Sequence, residues 1–149
     1  MSRILAVDYG ERRVGLAVSD ETGTIATGLE TLDRRKYKSD QALAAEIARL
    51  AGEYAAVMIV VGLPLNMDGT SGEAAARVVG FTEILGCTTG AGVATWDERL
   101  TTAAALRTRR ELGLQLKKRR DKKEIDRLSA VILLQNYLAY QRQSRKPDV

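Results

Sequence analysis

The chain opens on an apolar run, Ile4-Leu5-Ala6-Val7, framed by Arg3 and Asp8, the pattern of a central strand buried on both faces. From Val14 to Ser19 the pattern alternates, with Val14, Leu16 and Val18 on one face and Gly15, Ala17 and Ser19 on the other. The short link Tyr9-Gly10-Glu11-Arg12-Arg13 predicts a hairpin between these two strands. Asp20-Glu21-Thr22-Gly23-Thr24 reads as a turn, and a third strand is expected within Ile25–Leu32. The period then changes: Leu43, Ile47, Leu50, Ala51 and Tyr54 recur at helical spacing, with Ser39 or Asp40 placed to cap the start. Val57–Val61 predicts a fourth strand, and the Gly, Pro and Asp-Gly content of Gly62–Gly69 predicts a loop after it. Thr70-Ser71-Gly72-Glu73 has capping-box spacing ahead of a helix striped by Ala74, Val78, Phe81 and Leu85. A fifth strand, Val93–Trp96, leads into Asp97-Glu98-Arg99. A helix from about Thr102 to Leu112 is expected to stop at Gly113. A basic loop over 113–123 follows, then a last helix from about Lys122 to Tyr140 and a polar tail, 142–149, expected to fray.

The predicted order is β-β-β-α-β-α-β-α-α, an antiparallel meander followed by βα units. Helical crossovers favour right-handed parallel connections, so the expected architecture is an α/β mixed five-stranded sheet with helices on both faces. That order is the one found in the ribonuclease H-like fold. No internal repeat or boundary divides the chain, and a single domain over 1–149 is expected.

Composition narrows the chemistry. The 149 residues include no His and a single Cys, Cys87. That excludes a catalytic Ser-His-Asp or Cys-His arrangement, a disulfide framework within the chain, any thiolate zinc cluster and every His-ligated metal site. Acid–base or metal chemistry must therefore run on carboxylates. The longest apolar stretch, Ala55–Leu65, is interrupted by Gly62 and Pro64 and is too short to span a bilayer of about 30 Å, so a cytoplasmic protein with no membrane partner is expected.

Three carboxylates stand where such chemistry could occur. Asp8 ends an otherwise apolar strand, where it must be solvated, paired or metal-bound; its plainer role is a turn residue. Glu98 closes the fifth strand, where Asp97 or Glu98 could instead favour a following helix terminus and Arg99 could neutralise either. Asp126 could form a surface ion pair with Lys122 or Lys123. Yet Asp126, Ala130, Leu133 and Tyr137 fall at i, i+4, i+7 and i+11, so the carboxylate heads an apolar stripe and is expected to point inward. If Asp8, Glu98 and Asp126 converge, their repulsion requires a proton or a cation. An oxygen-only donor set suits a hard ion, Mg²⁺ or Mn²⁺, and two such ions can drive in-line phosphodiester cleavage.

Net charge is +4, but its placement is uneven: Arg107–Lys123 holds nine basic and two acidic residues, while the remainder holds 14 basic and 17 acidic. Lys117, Lys118, Arg119, Arg120, Lys122 and Lys123 precede Asp126 directly. Together with Arg12 and Arg13 of the hairpin, they are the candidate phosphate contacts of a nucleic-acid partner. No aromatic residue is interleaved in the basic run, so contacts are expected to be backbone-led and salt-sensitive rather than stacked. The amides near Thr70–Gly72 could hold a further phosphate, although the loop lacks a P-loop ending.

Four ordered segments resemble the YqgF family: Asp8-Tyr9-Gly10-Glu11-Arg12-Arg13-Val14-Gly15-Leu16-Ala17-Val18-Ser19-Asp20, Val61–Thr70, Asp97–Thr102, and Asp126 with Ala130-Val131-Ile132-Leu133-Leu134-Gln135. The resemblance runs from about Arg3 to Tyr140. It implies a ribonuclease H-like fold, a nuclease for the 5′ end of pre-16S rRNA acting with ribosomal precursor particles, and an acidic site at Asp8, Glu98 and Asp126. It leaves open whether Asp97 joins the site. The family was earlier treated as related to Holliday-junction resolvases, so branched DNA is the rival substrate. A non-catalytic RNA-binding assembly protein is a second alternative. An actin-like kinase or ATPase, whose phosphate hairpin also begins Asp-x-Gly, would need a second such domain.

Overall fold

The computed structural model describes residues 2–65, 72–100, 107, 110–111, 114–115 and 122–144, with side chains over 125–143 of the last stretch. The apolar run at the start forms β1, Arg3–Tyr9, and lies in the middle of the sheet with Leu5, Ala6 and Val7 fully buried. β2, Arg13–Ser19, pairs antiparallel to it, with Val7 opposite Leu16 and Asp8 opposite Gly15. The expected third strand is two short pieces, β3 (Ala26–Gly28) and β4 (Leu32–Asp33), both antiparallel to β2. The sheet therefore has six strands rather than five. Between the two pieces, the Leu29 amide donates to the Leu16 carbonyl at 2.8 Å, which keeps the interrupted edge attached. The Asp20 turn forms as expected: its carboxylate accepts from the amides of Thr24 and Ile25 and from the Thr22 hydroxyl.

β5, Ala56–Leu63, runs parallel to β1, and β6, Gly92–Asp97, runs parallel to β5. The main path of the sheet is β3-β2-β1-β5-β6. Helix α1, Asp40–Glu53, is capped by the Ser39 side chain, which accepts from the Ala42 amide, so Ser39 and not Asp40 is the cap. Helix α2, Glu73–Thr88, starts with Gly72 at its N-cap and no side-chain cap, later than the capping-box spacing at Thr70 implied. The expected phosphate-holding amides of Thr70 and Ser71 lie outside the described residues.

Helix α3, Lys122–Ser144, extends past Tyr140, so the tail expected to fray from Arg142 is helical through Ser144. Residues 107, 110 and 111 of the expected helix over 102–112 are helical, and so are 114 and 115, where a loop was expected to have begun. The rest of that helix, Gly113 and Lys117–Asp121 lie outside the described residues. Among the described residues no helix is long and apolar enough to cross a membrane.

The helices cover both faces. α1 and α2 bury Leu43, Ile47, Val78, Phe81 and Leu85 against Leu5, Val7, Leu16, Ile59 and Val61. α3 covers the other face, packing Ala130, Leu133, Leu134, Tyr137 and Leu138 on Ala6, Ala17, Val60 and Trp96. Trp96 meets Tyr137 and Tyr140 edge-on, at ring-centroid distances of 5.6 and 5.1 Å, which fastens β6 to α3.

Candidate active site

Strand alternation decides where Asp8 points. Ala6 lies on the α3 face, so Asp8, two residues on, projects from that same face, while Tyr9 turns to the other and stacks on Phe81. Asp8 is half-buried at the C-terminal end of β1. Its antiparallel neighbour is Gly15. On the parallel side, Ala6 pairs with Val60 and Val7 with Val61, which sets Asp8 level with Gly62. Asp8 is thus flanked on both neighbouring strands by glycine.

Each glycine gives space to another acidic residue. A Cβ built on Gly15 would overlap the main-chain carbonyl oxygen of Asp126 and come within 2.9 Å of its carbon and 3.4 Å of the Ala130 Cβ. Because Gly15 and Ala130 are small, the first turns of α3 lie directly on β2. A Cβ on Gly62 would meet Glu98 Oε1 at 2.7 Å and Leu133 at 3.3 Å. Glu98 heads a 3-10 turn, Glu98–Leu100, just past β6, and its carboxylate reaches back over the sheet. Strands lie about 4.8 Å apart, so Asp126 and Glu98 sit one strand to either side of Asp8, at one end of one face.

The carboxylates share this corner without closing on a point. Among the described residues, no three His, Cys, Asp or Glu side chains are grouped closely enough to hold one ion. Asp126 accepts a hydrogen bond from Arg13 Nε at 2.8 Å, in a pair with side chains 23% and 30% exposed. The contact spans 113 residues of sequence, and the side chains of Lys122 and Lys123, the alternative partners of Asp126, lie outside the described residues. It also means that Arg13, expected as a phosphate contact, is engaged by a site carboxylate. The donor set remains all oxygen and suits a hard divalent cation, provided Arg13 releases Asp126.

Asp97 is placed differently. It follows Trp96 on the strand and so alternates to the opposite face, and Arg99 holds it through Nη2 at 2.7 Å and Nε at 3.1 Å, with the Arg99 amide adding a third bond at 2.9 Å. Those bonds from Arg99 pull the Asp97 carboxyl below the usual carboxylate range. Its stabilising effect is complete above the ordinary Asp pKa and is lost as pH falls through its lowered value. Asp97→Asn is expected to cost less than about 1 kcal/mol, as an exposed pair does, and to leave nucleolytic turnover within about threefold of the parent. A loss of 100-fold or more in a cleavage assay would place Asp97 in the site.

The sequence reading named the three acids as candidates but did not single out the two glycines or the Arg13 contact. A lone Gly inside a strand pattern is a signal of close backbone approach, and Gly15 carries it.

The sequence model of the RuvX family, described as Holliday junction resolvase, matches residues 2–140. A protein of Clostridium novyi named "Putative pre-16S rRNA nuclease" is 42% identical over 136 residues, covering 91% of this chain and 97% of the relative. One of the same name from Thermoanaerobacter pseudethanolicus is 41% identical over 140 residues, covering 94% and 98%. Among solved structures, Thermus thermophilus RuvC in complex with a Holliday junction substrate superposes with a TM-score of 0.61 at 16% identity, covering 96% of each chain. That likeness establishes the α/β ribonuclease H-like fold. With the family model spanning nearly the whole chain and full-length relatives near 40% identity, this chain belongs to the RuvX (YqgF) family and is a hydrolase of the nuclease class.

Proposed function

We propose that the protein is a divalent-metal-dependent endonuclease of structured RNA that trims the 5′ end of pre-16S rRNA in the cytoplasm, acting on ribosomal precursors. The observation that carries the metal-dependent chemistry is the corner in which Gly15 and Gly62 seat Asp126 and Glu98 on either side of Asp8. The relatives' names support the RNA substrate. Asp8, Glu98 and Asp126 would hold Mg²⁺ or Mn²⁺. When bound, such an ion supplies Lewis-acid activation of water and charge stabilisation at phosphoryl oxygens.

The chain's own groups do the rest. The apolar layer of Ala6, Val60, Leu133 and Leu134 beneath the acids limits water on that side, so charge interactions above it are stronger than in bulk solvent. Arg13 holds Asp126 until the polyanion and its cations arrive, and its guanidinium can then turn to a phosphate oxygen. Lys117, Lys118, Arg119, Arg120, Lys122 and Lys123 offset the repulsion between substrate phosphates and the site carboxylates, and Arg12 extends that surface on the hairpin.

The family model's description favours a second reading, resolution of four-way DNA junctions by the same site. Side-by-side cleavage of a precursor 16S fragment and a synthetic junction, in Mg²⁺ and in Mn²⁺, separates the two. Preferential cutting of the RNA is expected, and preferential cutting of the junction overturns the RNA assignment.

The basic segment has its own test. If the four residues Lys117 to Arg120 each neutralise one phosphate of single-stranded RNA, their replacement by Gln lowers the slope of log K against log[salt] by about 2.8. An unchanged slope in a fluorescence-anisotropy titration would place the binding surface elsewhere.

A further inference from the structure

We infer that the turn after β4, with the tip of the β1–β2 hairpin, forms a second phosphate-binding surface that carries the RNA strand away from Asp8 on the side of β2; the inference rests on the nuclease reading above. β4 pairs with the first residues of β2, Asp33 opposite Arg13 and Leu32 opposite Val14. The 3-10 turn Arg34–Lys36 therefore emerges at the same end of the sheet as Asp8 and Arg13. The Arg34 amide donates to the Arg12 carbonyl at 2.9 Å, which places the turn against the hairpin. From Asp8 across β2 to β4 is two strand spacings, about 10 Å.

The charges in this region divide into two groups. Glu11, Asp33 and Asp40 each have an arginine: Arg77 at 3.0 Å, Arg35 at 2.9 Å and Arg34 at 3.3 Å. Arg34 also donates to the Glu11 carbonyl at 2.9 Å and lies over the Tyr9 ring, 4.6 Å from its centroid, while the Tyr9 hydroxyl donates to Asp40 at 3.0 Å. These contacts tie the hairpin tip to the first turn of α1 and the adjoining end of α2, so the platform is held before any ligand arrives. Burial, followed by that bond to Asp40, pushes the Tyr9 hydroxyl up to about 12, so it stays a donor at physiological pH.

The second group is Arg12, Lys36 and Lys38. All three are exposed, and no ion pair or hydrogen bond from their side chains is found among the described residues. Arg35 holds the Asp33 carboxyl low and Arg12 lies close enough to help, and Glu30 is the one further acid near Tyr37 besides Glu46, which Arg49 holds. Three exposed cations on a braced surface at the active end of the sheet still outnumber Glu30 and are suited to a polyanionic backbone. With Tyr9 and Tyr37 both turned to other partners or half-buried, the surface offers charge without a stacking platform, so recognition follows phosphates and not bases.

The test uses full-length protein carrying Asp8→Asn, so that RNA is bound without being cut, and a fluorescein-labelled single-stranded RNA of mixed sequence. Anisotropy titrations from about 50 to 300 mM KCl compare this protein with one also carrying Arg12→Gln, Lys36→Gln and Lys38→Gln. At about 0.7 per phosphate contact, the salt slope is expected to fall by about 2, with affinity at 100 mM KCl reduced 10-fold or more. The pair Lys36→Gln and Lys38→Gln alone, which leaves the hairpin intact, is expected to lower the slope by about 1.4. Unchanged slopes in both variants overturn this surface while leaving the nuclease reading in place. Failure of the otherwise unaltered protein to cut RNA in any divalent metal overturns the parent reading instead.

Discussion

Asp8→Asn is expected to lower the rate of RNA cleavage by at least about 1000-fold, equivalent to about 4 kcal/mol of lost transition-state stabilisation. The expectation follows from position. Asp8 is central among the three acids, on the central strand, with glycine on each side. An amide there keeps the shape of the side chain but loses the charge that would hold a divalent cation and orient the attacking water. Binding should survive or tighten, because one negative charge facing a polyanion is removed. Glu98→Gln should behave alike. Asp126→Asn carries an added structural effect, since Arg13 loses its charged partner and keeps at most a neutral amide oxygen to donate to, at a cost of about 1 kcal/mol in this half-buried setting. Single-turnover cleavage of an end-labelled precursor 16S fragment in Mg²⁺, with anisotropy on the same RNA, reads both quantities. Cleavage by the Asp8→Asn protein at the parent's rate would remove Asp8, and with it the site, from the chemistry.

Much of this layout was legible in the chain because hydrophobic period is a strong signal. The apolar run of β1 and the stripe Ala130, Leu133, Tyr137 each predicted their burial, and the structure buries them; β2 goes further than its alternation implied, with Ala17 and Ser19 buried as well as Val14, Leu16 and Val18. The inward aim of Asp126 followed from the same stripe: the residue is half-buried and Arg127 beside it is exposed. What stayed hidden depends on register between distant segments. Arg13 and Asp126 are 113 residues apart, and nothing local to either announces their contact. The break between β3 and β4 was equally hidden, because Ile25–Leu32 has enough β-formers for one strand; only pairing to β2 at two separate places divides it. Asp97 and Glu98 are adjacent in sequence and their types are nearly equivalent. Strand alternation at Trp96 separates them onto two faces.

The glycines carry the second large expectation. Gly15→Val should destabilise the protein by about 3 kcal/mol or more, at the upper end of overpacking costs, because the first atom added falls on the main chain of Asp126 and not on a side chain able to rotate. α3 would have to lift from β2, separating Ala130 from Ala17 and moving Asp126 relative to Asp8. At about 2–4 °C per kcal/mol for a chain of this size, thermal unfolding should begin roughly 6–12 °C lower. Activity should fall even at temperatures where the variant remains folded, since the site's third acid rides on the displaced helix. Gly80 provides the contrast: it lies in α2, and a Cβ there would meet nothing within 4 Å. Gly80→Ala should therefore stabilise the helix by about 0.5–1 kcal/mol, the ordinary gain from replacing a mid-helix glycine. Differential scanning calorimetry on the two variants and the parent decides the matter. If Gly15→Val unfolds no earlier than the parent, α3 does not rest on β2 at this point, and the glycine-flanked arrangement of Asp8, Glu98 and Asp126 is wrong.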